Sequence, residues 1–562
     1  MRGVPSGVMP RLLWMLALLA MGWSTPSLAQ RTAVTSGQGL YPRLVRLSNN
    51  PTPANNGRIV VSATSFPGGV GEEQIYASDN GGVSFTRIGT ISDPLFTRGL
   101  CCGGLYELPR AIGAMPAGTL LWAGSVGGDT AGSPMQIRIY RSSDRGATWS
   151  YLSNCATGTV NRGTSDGLWE PEFTIAGDGS LVCYYSDETV AGYSQMIQRV
   201  TSTDGITWSA PVRVIASNVA NDRPGMPVVT KLPSGRYFMT FELCGPAACT
   251  VFSKTSPDGL DWGDVTNVGT RVETEDGHWF LHTPTNTWAA VPGTPNGRIF
   301  VNGQILSGKD SVGNGRTVFY NDSADGTGKW KTLAAPVAIQ LPSTTSNVCQ
   351  NYSSPLLASA DGKSLLGLAT DYDNASGSNL CRVYFGMAST TAPLAVSLSA
   401  PAMTFAAGQS GSSAITLSPN GFAGTVKLTV SVPNYPGTAS FDRDTLTFTG
   451  TDTQTATLTL SPTKSAALGS GGGKGFALFS LAGIIPLVVI GALRKAAGML
   501  AMALMLALTG CSGGGGSTVG AGNGGTVTTP PAPSTYTATV TATDVANPTN
   551  TSQTQIQVTV NN

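Results

Sequence analysis

Charge is scarce in this sequence. Asp, Glu, Lys and Arg make up 12% of its 562 residues, about half of the ~25% common in soluble proteins. Neither sign prevails: 33 Lys and Arg face 32 Asp and Glu, so no basic excess points to a nucleic-acid partner. Histidine is almost missing, with only His278 and His282. No CxxC pair or His/Cys cluster has zinc-ligand spacing. Asp276-Gly277 and Pro284 around the HxxxH put it on a loop or strand, so neither a metal nor another cofactor is expected. Long helical runs rich in Ala, Glu, Lys and Leu are missing too, which argues against an all-α fold. What abounds is Gly, with 71 residues, and short Ser-, Thr- and Val-rich runs between turn signals, which predict an all-β chain. Hydrophobic residues, at 41%, are enough for large cores.

Both ends carry apolar segments. Residues 1–29 read as a signal peptide, with Arg2 and Arg11, the apolar run 12–21 and the small-x-small site Ser27-Leu28-Ala29. Export fits the cysteines: eight of nine lie between Cys101 and Cys381, which allows up to four disulfides in an oxidising compartment. Cys244 and Cys249 are close enough to close a small loop, Cys155 with Cys183 and Cys349 with Cys381 are plausible partners, and vicinal Cys101-Cys102 bonds to itself or to others; the sequence alone leaves the pairing open. Residues 476–510 hold two apolar runs separated by Arg494-Lys495. They predict a transmembrane hairpin with the basic pair inside the cell, and so a catalytic part outside, tethered to the envelope. Leu508-Thr509-Gly510-Cys511 resembles a bacterial lipoprotein box, deep inside the chain.

Between these ends a turn motif repeats. Ser142-Ser-Asp-Arg-Gly-Ala-Thr-Trp149 is a full Asp box (BNR repeat), and Ser78-Asp-Asn-Gly-Gly-Val-Ser-Phe85 keeps its register. Shorter relatives start at Ser202, Ser256, Ser323 and Ser359. The Asp accepts backbone N–H groups, the Gly takes positive φ and the aromatic packs beneath; the element is structural. Six such turns in residues 30–392 predict a six-bladed β-propeller. Residues 393–463 alternate apolar and polar positions and predict an Ig-like β-sandwich. Residues 464–475 and 511–534 are linkers, and 535–562 hold two further strands that could complete the sandwich across the hairpin.

Three strands carry Glu inside apolar, aromatic sequence: 105–110 with Glu107, 167–173 with Glu170 and Glu172, and 237–245 with Glu242. Burial costs such carboxylates free energy and raises their pKa. Two of them on neighbouring blades would suit glycoside hydrolysis.

The order Trp169-Glu170-Pro171, Tyr184-Tyr185-Ser186-Asp187-Glu188, Arg223-Pro-Gly-Met-Pro227 and Phe241-Glu242-Leu243-Cys244-Gly245 resembles the exo-α-1,5-L-arabinanases of glycoside hydrolase family 93, among the sialidase-like propellers. Cys101-Cys102, Leu105-Tyr106-Glu107-Leu108-Pro109 and Asn351-Tyr352-Ser353 add to the resemblance, which spans about residues 38–390. It implies release of arabinobiose from linear arabinan with retention of configuration. Glu170 and Glu242 would be the catalytic pair, with Glu170 favoured as nucleophile and Glu242 as acid/base. Arg43 with Tyr41-Pro42, Trp169, Tyr185, Arg223, His278 and Tyr352 would contact sugar, and Glu172 is a nearby decoy. The implied partner is an arabinan-like polysaccharide. Two other readings compete. An exo-α-sialidase would need three arginines, for which Arg43, Arg110 and Arg223 are the candidates, yet the usual Phe-Arg-Ile-Pro segment is missing. A non-catalytic carbohydrate-binding or adhesion propeller would not need both Glu170 and Glu242.

Overall fold

The computed structural model describes residues 31–463 and 532–562, apart from 129–133, 159–166, 340, 342–346, 374–379, 392–393, 395, 420–421, 450–451 and 546–549. The expected signal peptide, hydrophobic hairpin and most of the linkers lie outside the described residues. Among those described, no helix is long and apolar enough to cross a membrane.

Six antiparallel sheets follow one another along residues 32–389. Their first strands are Leu40–Arg46, Leu100–Glu107, Leu168–Ile175, Arg223–Lys231, Thr285–Ala289 and Leu356–Ala358. Each first strand touches the next, and the sixth touches the first. The ring is therefore closed, and these are the inner strands of a six-bladed propeller. Thr32–Ala33 closes it by antiparallel hydrogen-bonded pairing with Tyr384 and Phe385, so the sixth blade takes its outer strand from the beginning of the chain. The fourth blade is widened by His278–Leu281 and Ile305–Gly308.

Apolar cores fill the gaps between neighbouring blades. On Ile59–Ser65 the side chain of Val60 packs with Leu120 and Trp122 of the second blade, whereas Ile59 and Val61 pack with Leu366 and Val383 of the sixth. Successive residues point to opposite faces, and both faces are covered. The strand therefore reads as a continuous apolar run.

The Asp boxes join third and fourth strands. In the second blade Ser142 Oγ accepts from Gly146 N–H (2.9 Å), Asp144 accepts from Thr148 N–H (2.9 Å), and Trp149 Nε1 donates to the Gly146 carbonyl (3.0 Å). The turns at Ser78, Ser202 and Ser256 repeat the serine-to-glycine bond. The turn at Ser359 differs. It joins the first and second strands of the sixth blade, whose fourth strand comes from the N-terminus and leaves no third-to-fourth turn to form.

A β-sandwich follows the propeller. One sheet holds Ser397–Ser399, Gly411–Ser418, Gln454–Pro462 and Gly437–Phe441. The other holds Met403–Ala406, Thr551–Asn561, Ser534–Asp544, Ala423–Ser431 and Thr445–Thr449. Ile415, Leu417, Leu458 and Leu460 of the first sheet share one core with Val426, Leu428, Val540, Ile556 and Val558 of the second. The last two strands thus supply the middle of a sheet. Ile556 is 1% exposed, so Ile556→Ala is expected to cost ~2–5 kcal/mol. Denaturant melts of the full chain should show the sandwich transition move to lower denaturant while the propeller transition stays in place.

Candidate active site

Each inner strand begins with the same backbone irregularity. Tyr41, Cys102, Glu170, Met226, Thr283 and Ser353 have φ of 48°, 63°, 55°, 56°, 47° and 55°. A non-glycine residue held there costs roughly 1–3 kcal/mol. In the first four blades the residue lies at a register shift in the inner strand, so it is left out of the ladder. In four blades the next residue is proline: Pro42, Pro171, Pro227 and Pro284. Proline disfavours the right-handed helical conformation in the residue before it.

The freed backbone groups serve two acids. Glu170 heads the third blade, and its Oε2 accepts from Met226 N–H of the fourth (3.1 Å) and from Ser186 Oγ (2.6 Å). Glu242 lies on the second strand of the fourth blade, and its Oε2 accepts from Thr283 N–H ahead of the fifth (2.9 Å). His282 Nδ1 stands 3.5 Å from the same oxygen. The belt continues around the ring. Ser353 N–H donates to Thr283 Oγ1 (3.0 Å), and Arg43 donates to Ser353 Oγ (2.8 Å). The Arg43 guanidinium also lies 4.2 Å from the Tyr41 ring centre. Tyr41, Cys102 and Met226 form a small apolar cluster with Cys101, Trp169 and Tyr352. The two cysteines of that cluster are bonded to each other, and the other disulfides are Cys155–Cys183, Cys244–Cys249 and Cys349–Cys381.

Burial dominates the electrostatics here. It pushes Glu170 up to about 7, with the negative charge of Glu242 adding to the rise and the Ser186 hydroxyl opposing it. Glu172 is also pushed up to about 7 by burial, against the pull of Arg43. Its Oε1 accepts from Val229 N–H at 3.3 Å. Tyr352 is raised well above its usual value by burial and by the charges of Glu242 and Glu170. Two carboxylates in one site repel, so ionising both at once is disfavoured. Glu242, His282 and the sulfurs of Cys244 and Cys249 lie within 4.8 Å of one another. The sulfurs are joined in a disulfide, which leaves one carboxylate and one imidazole as ligands.

Of the residues expected from the sequence, Arg43, Trp169, Glu170, Glu242 and Tyr352 come together. Arg223 stands one contact away: its guanidinium holds Glu188 and Gln195 Oε1 (2.7 Å), and the charge of Glu188 acts on Glu170. Two expectations need correction. Tyr185 is 3% exposed in the core between second and third blades, because strand alternation turns it into the blade gap. His278 lies on a strand three places from the inner one of its sheet, with Nδ1 3.2 Å from Asp276 and Nε2 3.1 Å from Asp310. His282, the other histidine, stands beside the acid. Glu107 is structural, accepting from Ser48 N–H (2.8 Å), Asn49 N–H (3.1 Å) and Asn49 Nδ2 (2.6 Å). Sequence reasoning missed Ser186, Thr283, His282 and the N–H of Met226 as partners of the acids. The recurring x-Pro at the head of inner strands was the available signal.

A carboxyl raised by burial favours folding most below its unfolded value of 4.5, and that contribution is lost as pH rises through about 7. Glu170→Gln removes the penalty. It is expected to stabilise the protein by ~1–3 kcal/mol at pH 8 and hardly at all at pH 4, measured by denaturant melts at the two pH values.

No protein-family model and no curated protein matches the chain. Solved structures do. The Penicillium chrysogenum α-L-arabinanase complexed with arabinobiose is 26% identical, over 65% of this chain and 99% of that one, with a TM-score of 0.51. A mutant α-L-arabinofuranosidase from Fusarium graminearum, in complex with an iminosugar inhibitor, is 26% identical over 64% of this chain and 96% of that one, with a TM-score of 0.50. In the order of its motifs and in the fold that carries them, the propeller of this chain resembles the arabinanases of glycoside hydrolase family 93.

Proposed function

We propose that the propeller is a retaining glycoside hydrolase that acts from the end of linear α-1,5-L-arabinan and releases arabinobiose. The observation that carries this is the pair Glu170 and Glu242, half-buried carboxyls from adjacent blades. Each is oriented by the N–H of the left-handed residue heading the next blade. One acts as nucleophile on the anomeric carbon. The other protonates the departing oxygen and then takes a proton from the water that releases the sugar. A partly protonated site at neutral pH suits this division, since one carboxyl must hold a proton while the other is charged. Trp169 and Tyr352, packed over buried Tyr41 and Met226, give the apolar surface on which the less polar face of a sugar rests, and Arg43 stands beside it as a hydrogen-bond donor to hydroxyls. The two solved structures with bound arabinobiose and iminosugar support this substrate class.

The sialidase reading is weaker. Arg110 lies beyond the far end of the inner strand Leu100–Glu107, packed over Gly179. Arg223 is engaged by Glu188, so the three arginines do not converge on a substrate carboxylate.

Four disulfides agree with an exported, periplasmic or extracellular enzyme. We also retain the Ig-like reading of the sandwich and the membrane tether at 476–510. Residues 454–462 and 534–544 belong to the same sandwich, so a chain leaving and re-entering it crosses a bilayer an even number of times, as a hairpin does.

The test is product analysis on linear α-1,5-arabinan. Wild type should release arabinobiose, and Glu170→Ala and Glu242→Ala should each lose at least ~10³-fold in kcat/KM. Azide should restore turnover to both, giving glycosyl azides of opposite anomeric configuration; the variant that yields the inverted product identifies the nucleophile. His278→Ala should leave kcat and KM within about twofold, since its contacts lie with Asp276 and Asp310. Binding of arabinan without any product would instead identify a carbohydrate-binding propeller.

A further inference from the structure

A cavity opens beside Arg223, against the loop that leads into the inner strand of the fourth blade. It measures about 200 Å³ and lies between the segments 192–194 and 217–222, far above the roughly 30 Å³ share of a water molecule. Its walls are joined to the site by direct contacts. Arg223 donates to Ser194 Oγ and to the Ser194 carbonyl, both at 3.2 Å, and its other nitrogen holds Glu188. Three residues on, Met226 N–H holds Glu170. On the opposite wall the Asn221 carbonyl fits over Gly245, where an added Cβ would come within 2.1 Å of it; Gly245 directly follows the strand that bears Glu242.

The cavity is pre-shaped and polar. Ser217 donates to buried Asp222 (2.5 Å), Val219 N–H donates to Ser217 Oγ (3.1 Å), and Asp222 N–H to the Val219 carbonyl (3.2 Å). Among the described residues, the exposed side-chain amides of Asn218 and Asn221 have no hydrogen-bond partner. Each offers one acceptor and two donors, the complement of vicinal hydroxyls. Tyr193 adds an aromatic ring, fixed by Arg213 5.0 Å from its centre.

We propose that this cavity is a subsite for a furanose residue of the polysaccharide beyond the bond that is cut, on the polymer side. The inference rests on the reading of the centre as an arabinan hydrolase. The subsite gives the enzyme a hold on long chains that short substrates do not use.

Two variants of the full chain test it. Ala220→Trp places a bulky ring at the exposed edge of the cavity, and Asn218→Ala removes a free amide; neither residue belongs to the acid pair or its partners. For arabinan oligomers long enough to reach the cavity, KM should rise about tenfold in Ala220→Trp and less in Asn218→Ala, with kcat unchanged. For an aryl arabinobioside, which carries no furanose beyond the cut bond, both constants should stay at wild-type values. An equal change on short and long substrates, or none on either, overturns the subsite while leaving the hydrolase reading intact. A wild-type enzyme inert on every arabinan length overturns that reading and this inference with it.

Discussion

The mouth of this propeller depends on one backbone device, the left-handed residue that heads each inner strand. A regular strand spends every N–H on its ladder or on a neighbour. The register shifts at Glu170 and Met226 release one residue from pairing. The released N–H of Met226 can then turn to Glu170, as that of Thr283 turns to Glu242. The strain of these positions is balanced by the closed ring: each inner strand is clamped between two others and cannot relax without opening the channel. The same geometry that is costly locally therefore fixes the acids.

Charge at the centre is kept in a narrow balance. Glu170, Glu172 and Glu242 face a channel in which Arg43 is the cation acting on Glu172, Tyr41 and Tyr352. Ser353 and the Tyr41 ring hold that guanidinium in place. Burial without matching cations keeps protons on carboxyl groups near neutral pH. A chain with few charges overall thus concentrates acids at one place, where proton transfer is useful and the raised Glu170 and Glu172 cost stability.

Part of this was legible in the sequence and part was not. Glu170 and Glu242 stood out because a carboxylate in an apolar strand needs a reason. The Asp boxes marked hairpin turns because their hydrogen bonds are local and close within eight residues. The Ser359 turn could not be told apart from the others, since its strand position depends on how the ring closes. Tyr185 was misjudged for a similar reason. Both faces of a propeller strand are buried, so alternation does not say which face meets the blade gap and which meets the channel. His278 and His282 are four residues apart, and only the path of the chain from the outer part of the fourth blade to the head of the fifth separates an Asp–His–Asp group from a neighbour of Glu242.

Ring closure ties these local features into one unit. Thr32–Ala33 reaches Tyr384 and Phe385, and Arg31 pairs with Asp371 across a separation of 340 residues. Contacts of that span form late, after the loop entropy of nearly the whole propeller has been overcome. Until then the sixth blade lacks its outer strand, and the first and sixth inner strands have no reason to meet. Ser353 and Arg43 sit on those two blades, and their bond links the belt that runs through Thr283 to Glu242. The acid pair lies on the third and fourth blades, yet the belt that holds its surroundings is completed only at the seam between the sixth and the first. The site is therefore a property of the closed ring and of no smaller piece of the chain.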